Sequence, residues 1–361
     1  MISLDSLRPE FIDKMAKRLK IVDKAVLERA IHAFVLLDRL AGTRAEFTFK
    51  GGTSLLLQLK EPRRLSVDID TFCVMPADEF RSILEKEVCR NPPFFKMEED
   101  LRGAYDQPQR RHYKLYYKTA YNKMRPDAYI LLDVVEEDAK IDKITRPIKP
   151  FFTLDDGGLP SHVTMPSKSA LLADKLTAFA PHTIGVRFDR GPDKDTAEHQ
   201  VFKQLFDVVQ LYDSGIDIEE VRRAYDILAR SESSYRGGVY RPEDCLRDTL
   251  RTSYDITCID LGRRKFADER FIRSGIDKMR NDVINGFDFT FPVARQYAAK
   301  AAFVAAQILA GRSVQIPDDV SPVSFAGNLK ILSRTKTLNP DVYQHWAAVA
   351  KLLPDWQPGV L

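Results

Sequence analysis

The residues with the most chemistry to offer stand close together in the first fifth of the chain. Asp68 and Asp70 are separated by one residue in Leu65-Ser66-Val67-Asp68-Ile69-Asp70-Thr71-Phe72, where apolar and polar side chains largely alternate. Alternation of this kind marks a half-buried strand, and residues i and i+2 of a strand project from the same face. Two carboxylates held side by side repel unless a divalent cation bridges them or one keeps a proton. Mg²⁺ takes few protein carboxylates and fills its other positions with water and substrate phosphates, which suits such a pair. An ordinary solvent-facing strand edge remains the alternative for these two residues alone.

Two further features bear on the pair. Upstream, Gly51-Gly52-Thr53-Ser54 separates a short alternating stretch (Phe47 and Phe49 among Glu46 and Thr48) from the apolar Leu55, Leu56, Leu57 and Leu59. Glycines in a strand-to-helix turn let the backbone approach a phosphate, and the first N–H groups of the helix point at it. The turn is not a Walker A loop, because GxxxxGK[ST] is absent. Downstream, Asp133 is a lone acid in the apolar run Ile130-Leu131-Leu132-Asp133-Val134-Val135. A buried carboxylate there needs a cation or a hydrogen-bond partner. Opposite the first pair it would complete a two-metal site for phosphoryl transfer, with ions about 3.5–4 Å apart. Pairing with a structural arginine is the competing explanation.

These residues need elements to hold them. The first forty residues carry a helical period that stops at Ala41-Gly42-Thr43, and strands are predicted at 47–50 and 65–72 with a short buried helix between them. Residues 77–90 read as a helix, and 110–120 and 127–137 as strands. The stretch 142–165, rich in Pro and Gly, reads as a connection. Helices follow at 167–180, 197–213, 217–231, 241–252, 265–281, 292–310 and 340–353. The fold class is therefore α+β: a mixed sheet with helices in a domain of residues 1–160, then a mostly helical domain of residues 161–361, with a cleft between two lobes. Between Gln107 and Pro126 there is no acid, while Arg110, Arg111, His112, Lys114, Lys118, Lys123 and Arg125 are interleaved with Tyr113, Tyr116, Tyr117 and Tyr121. Such a stretch suits single-stranded or terminal RNA, or else a solvated outer strand.

Composition narrows the setting. A net charge of +3 is too small to indicate a nucleic-acid partner, so only local clusters bear on that question. Cys73, Cys89, Cys245 and Cys258 are far apart and form no CxxC or Cys/His pattern, and the histidines have no metal-ligand spacing. The N-terminus has no apolar core of a signal peptide, and no uncharged apolar run approaches the roughly 20 residues that span a bilayer. A cytoplasmic protein without a membrane partner is the expectation.

The motifs also carry a family resemblance. Lys50-Gly51-Gly52-Thr53-Ser54-Leu55, then Arg64-Leu65-Ser66-Val67-Asp68-Ile69-Asp70, then the apolar strand around Asp133, resemble the AbiEii/AbiGii-type nucleotidyltransferases. These are the toxins of abortive-infection toxin–antitoxin pairs, within the polymerase-β-like superfamily. A later helix element matches Leu171-Leu172-Ala173-Asp174-Lys175-Leu176-Thr177-Ala178, and a last one matches Lys203-Gln204-Leu205-Phe206-Asp207-Val208, where Gln204 replaces the family's first acid. The resemblance spans residues 20–215 and is strongest over 47–72. It implies a polymerase-β-like fold, with Asp68, Asp70 and Asp133 as ligands of Mg²⁺ or Mn²⁺. It also implies Lys50, Gly51, Gly52, Thr53, Ser54, Arg64 and Ser66 around a bound NTP, completed by Lys175 and Asp207. The implied reaction is transfer of NMP from an NTP to the 3′ end of tRNA, with an antitoxin protein as a further partner. Modification of a protein or small molecule, and a non-catalytic nucleotide-binding role, are the alternatives.

Overall fold

The computed structural model describes residues 1–100, 110–189, 191, 196–316 and 323–359. Residues 107–109 of the basic stretch therefore lie outside the described residues. The chain forms two compact units, Met1–Ser167 with Asp282–Phe287, and Lys168–Asn281 with Asp288–Leu361.

The first unit is built on a seven-stranded mixed sheet in the order β3-β4-β5-β2-β1-β7-β6. The strands are β1 (Thr48–Lys50), β2 (Ile69–Phe72), β3 (Phe94–Asp100), β4 (Arg110–Lys118), β5 (Asp127–Val135), β6 (Lys143–Pro147) and β7 (His162–Pro166). β2 runs parallel to β5 and β1 parallel to β7, and the other neighbours are antiparallel. Alternation gives the sheet two unlike faces. Phe49, Ile69, Leu115, Ile130, Leu132, Val134, Val163 and Met165 are buried in one apolar core with Leu27, Ile31 and Phe34. The opposite face carries Lys50, Asp70, His112, Lys114 and Asp133.

The helices of this unit are α1 (Pro9–Leu19), α2 (Lys24–Ala41), α3 (Gly51–Gln58) and α4 (Ala77–Ile83). The helical period of the first forty residues is divided between two helices. Lys20 takes a left-handed conformation (φ 53°) that closes α1, and the Asp23 carboxylate caps α2 by accepting from the Ala25 N–H at 2.9 Å. The helix expected over 77–90 is α4 followed by a π-helical turn, Leu84–Val88.

Three expectations are corrected. The stretch 142–165 is no plain connection: it holds β6 and most of β7, which complete one side of the sheet. The units divide at Ser167/Lys168 for that reason. β2 begins only at Ile69, so Asp68 precedes the strand and does not belong to it. β4 is not an outer strand, because β3 pairs with it on one side and β5 on the other.

The second unit is helical throughout its described residues: α5 (Lys168–Ala178), α6 (Glu198–Asp213), α7 (Ile218–Ser234), α8 (Pro242–Cys258), α9 (Glu269–Met279), α10 (Phe291–Ala310), α11 (Thr335–Leu338) and α12 (Pro340–Leu352). α10 is nearly apolar all round, with Ala298, Ala301, Ala302, Phe303 and Ala305 fully buried, as a central helix must be.

One buried histidine of the first unit makes its stability pH-dependent. His32 of α2 stacks on Tyr117 of β4 with ring centroids 3.6 Å apart, and burial lowers its pKa to about 4. The unfolded chain then binds the extra proton between pH 6.5 and about 4, so stability is present above that window and lost as pH falls through it. A shift of this size corresponds to roughly 3 kcal/mol. Urea titrations of wild type and His32→Phe at pH 7 and pH 5 should show a clearly smaller pH effect in the variant. Equal pH effects would remove His32 as the cause.

Candidate active site

The site is assembled by strand register. Lys50 of β1 pairs with Asp70 of β2, Asp70 with Asp133 of β5, Asp133 with His112 of β4, and His112 with Asp100 of β3. These five residues form one row across the open face. Asp70 and Asp133 are therefore direct cross-strand neighbours, at the roughly 4.8 Å spacing of adjacent strands. Buried neighbours hold the row in place: Phe49 before Lys50, Ile69 before Asp70, and Leu132 and Val134 around Asp133. A slip of one position would put Ile69 or Leu132 into solvent and the acids into the core.

The start of α3 closes against this row. Gly51 has φ +75°, and a Cβ built on it would lie 1.9 Å from Asp70 Oδ2. A side chain at position 51 is thus excluded twice, by backbone conformation and by the carboxylate. At Gly52 a Cβ would meet Arg64 Nη2 at 2.7 Å and Ser66 Oγ at 2.9 Å. The helix start consequently lies under a guanidinium, a hydroxyl and a carboxylate. Ser54 Oγ donates to the Gly51 carbonyl at 2.8 Å, and Thr53 Oγ1 donates to the Asp68 carbonyl at 2.5 Å. Thr53 so ties the helix to the segment leading into β2. Arg64 is buried, with Nη1 donating to the Leu65 carbonyl at 3.0 Å, and its backbone bridges to Val283. First-turn N–H groups, Arg64 and Ser66 together form a cradle suited to phosphate oxygens.

Lys50 and His112 flank Asp70 and Asp133 in the row. Lys50 stands beside Asp70 and places its ammonium 4.1 Å from the Phe72 ring centre. His112 Nδ1 lies 2.6 Å from Asp133 Oδ1, which fixes the orientation of that carboxylate. His112 is the residue that sequence reasoning missed, since the histidines showed no ligand spacing. Only the hairpin register could have revealed it. It also answers the question of what accompanies the lone Asp133, in place of the structural arginine considered above.

An all-oxygen set of two in-register carboxylates beside a phosphate cradle fits a hard divalent cation that takes further ligands from substrate and water. Among the described residues no three His, Cys, Asp or Glu side chains converge as a metal cluster. The structure brings Asp70 and Asp133 together, while Asp68 is exposed just before the strand.

The second unit holds a buried ion pair of its own. Lys175 of α5 and Asp207 of α6 are both buried, with Nζ 3.8 Å from Oδ2. One turn before Asp207, the buried Gln204 Oε1 has no hydrogen-bond partner among the described residues. That is the position where the family pattern has an acid.

The basic, tyrosine-rich stretch is divided by the pleat. Arg111, Tyr113 and Tyr117 are buried on the core side, and Arg111 pairs with Glu136 at 2.9 Å. Lys114 pairs with Asp100 at 3.2 Å, Lys118 pairs with Asp127, and Tyr121 donates to Asp13. β4 thus does not present all of these residues on one surface: half of them face inward, and most of the remaining cations on the strand have acidic neighbours.

The model of the family described as "Nucleotidyl transferase AbiEii toxin, Type IV TA system" matches residues 35–288. The chain belongs to the AbiEii nucleotidyltransferase toxin family. Among solved structures, it is similar to the nucleotidyltransferase toxin MenT4 of Mycobacterium tuberculosis, with 14% identity, a TM-score of 0.48, and 84% of this chain and 99% of that one covered. JHP933 of Helicobacter pylori is similar at 12% identity and a TM-score of 0.39, covering 94% of this chain and 99% of that one. Curated proteins give no match.

Three variants test the geometry. Gly51→Ala should abolish nucleotide binding or unfold the site, as read by NTP titration and circular dichroism; wild-type binding in a folded variant would contradict the close approach. Lys175→Ala removes the ammonium that faces the buried Asp207 carboxylate, so it should cost up to about 3–5 kcal/mol of stability. Lys175→Met combined with Asp207→Leu should regain much of that stability in urea titrations. If the single and double variants unfold together, the pair is not what holds α5 to α6.

Proposed function

We propose that the protein transfers a nucleoside monophosphate from an NTP to the 3′ end of tRNA and so acts as the toxin of a toxin–antitoxin pair. Family membership supports the nucleotidyltransferase reading. The observation that carries the site assignment is the contact of Gly51 with the Asp70 carboxylate, which sets a phosphate cradle directly beside two in-register acids.

In this reading the triphosphate lies over the first turn of α3, held by the backbone of Gly51–Ser54 with Ser66 and Arg64, and Lys50 supplies further positive charge. Asp68, Asp70 and Asp133 would hold Mg²⁺ or Mn²⁺, which when bound offsets triphosphate charge and favours the ionised acceptor hydroxyl. His112 keeps the Asp133 carboxylate aimed. The acceptor oxygen bonds to the α-phosphorus, the bond from that phosphorus to the α–β bridging oxygen breaks, pyrophosphate departs, and the hydroxyl proton passes to solvent. Lys175 and Asp207 are assigned to the nucleotide site by the family pattern alone. Transfer to a protein or small molecule is the competing outcome.

Incubating purified protein with labelled NTP, Mg²⁺, deacylated tRNA and bulk protein identifies the acceptor. Label should appear on tRNA. Asp68→Asn, Asp70→Asn and Asp133→Asn should each lose transfer by at least about 10²-fold while staying folded, as expected for removal of a ligand charge felt mainly in the transition state. Activity within a few-fold of wild type in any of the three would take that residue out of the site, and label on protein alone would redirect the acceptor assignment.

A further inference from the structure

Asp68 also lines a cavity of about 360 Å³, shared with Leu131 and Tyr129 of β5, Arg29 of α2, and Asn122 and Arg125 of the loop joining β4 to β5. Its size is at the lower end of ordinary ligand pockets, enough for a nucleoside but not for a large cofactor. We propose that this cavity receives the terminal nucleoside of the RNA acceptor, with the base stacked on Tyr129 and the adjoining phosphate held by Arg125. The inference rests on the transferase reading above and extends it to the acceptor.

Position comes first. The phosphate cradle lies on the β1 side of Asp70, whereas β5 and β4 lie on the other. In-line displacement needs the nucleophile opposite the leaving pyrophosphate, hence on the Asp133 side. Tyr129 is on the same face of β5 as Asp133 and four residues earlier, about 13 Å along the strand. That is farther than one nucleoside reaches, so the sugar hydroxyl of a terminal nucleoside lodged in the cavity meets the acids at Asp68, which lines the cavity itself.

Chemistry comes second. Tyr129 is 42% exposed, an unusual state for a tyrosine in the middle of a sheet. Tyr116 tilts against it with ring centroids 5.6 Å apart, and Lys114 Nζ is 5.5 Å from its centre, so the ring is braced. A braced, exposed ring in a cavity that the exposed Arg29 and Arg125 line, together with the acids Glu28, Asp68 and Asp127, offers single-stranded nucleic acid a stacking face.

The loop that walls the cavity is also fixed. Glu28 of α2, itself buried, accepts from the Ala120 N–H at 2.8 Å and from the Thr119 hydroxyl. Tyr121 donates to the Asp13 carboxylate at 2.7 Å. The loop is thereby strapped to α1 and α2, and Glu28 acts as a positioning residue for Arg125 and Asn122.

Two readouts test the proposal. Binding of a fluorescent single-stranded oligoribonucleotide, measured without NTP, does not depend on the transfer reaction. Steady-state transfer to deacylated tRNA separates KM for RNA from KM for NTP. Tyr129→Ala should weaken oligonucleotide binding and raise the RNA KM roughly tenfold or more, with the NTP KM little changed, while Tyr129→Phe should stay near wild type. Arg125→Ala should flatten the salt dependence of RNA binding by about 0.7 in log–log slope. Loss of RNA binding in Tyr129→Ala by a protein that transfers nothing would support the cavity and sink the transferase reading. Unchanged RNA binding and RNA KM in Tyr129→Ala, or a rise confined to the NTP KM, would overturn the proposal.

Discussion

The site depends on a carboxylate lying against a backbone position that has no side chain. Asp70 occupies the space that a Cβ on residue 51 would need, and Gly51 holds a left-handed conformation there. Because β1 is only three residues long, there is no slack between its pairing with β2 and the first turn of α3. The acid and the helix start are thus one unit of geometry. Any displacement of one transmits directly to the other.

The sheet supplies the rigidity that this contact requires. On the core side, Phe49, Ile69, Leu132 and Val134 are almost wholly removed from water, and burying each of them stabilises the fold by about 1.5–3 kcal/mol. On the open side, two negative groups stand side by side, flanked by Lys50 and His112. The apolar face sets the register, and the register brings the like charges together. Packing energy on one side of the sheet thereby sustains an electrostatically unfavourable arrangement on the other, as sites that bind cations commonly do.

Much of this was legible in the chain because it lies in short-range pattern. Gly51-Gly52 between an alternating and an apolar stretch, the Asp68/Asp70 spacing, and Asp133 in an apolar strand needed only local periodicity. The long helices after Lys168 announced themselves in the same way. What stayed hidden depends on pairing between distant strands. β3 is polar and edge-placed, and β6 and β7 sit in a Pro- and Gly-rich stretch whose sequence resembles a connection. The His112–Asp133 contact follows from the register of a hairpin with an eight-residue loop between Lys118 and Asp127, which no tight-turn rule fixes. The basic stretch misled for the same reason: composition records the cations of β4 but not the acids of β3 and β5 that face them.

The segment Asp282–Phe287 carries a consequence for biosynthesis. It belongs to the first unit although more than a hundred residues of the second precede it in the chain. The Ile284 N–H bonds the Arg63 carbonyl at 2.8 Å, Val283 bridges Arg64, and Ile284 joins the core. A ribosome therefore releases the carboxylate row early, but the strip bearing Arg64 gains its backbone partner only after residue 287 has emerged. The nascent chain cannot complete the strip that carries Arg64 beside α3 until most of the protein has been made, and no single cut in the gene separates the sheet unit intact from the helical one.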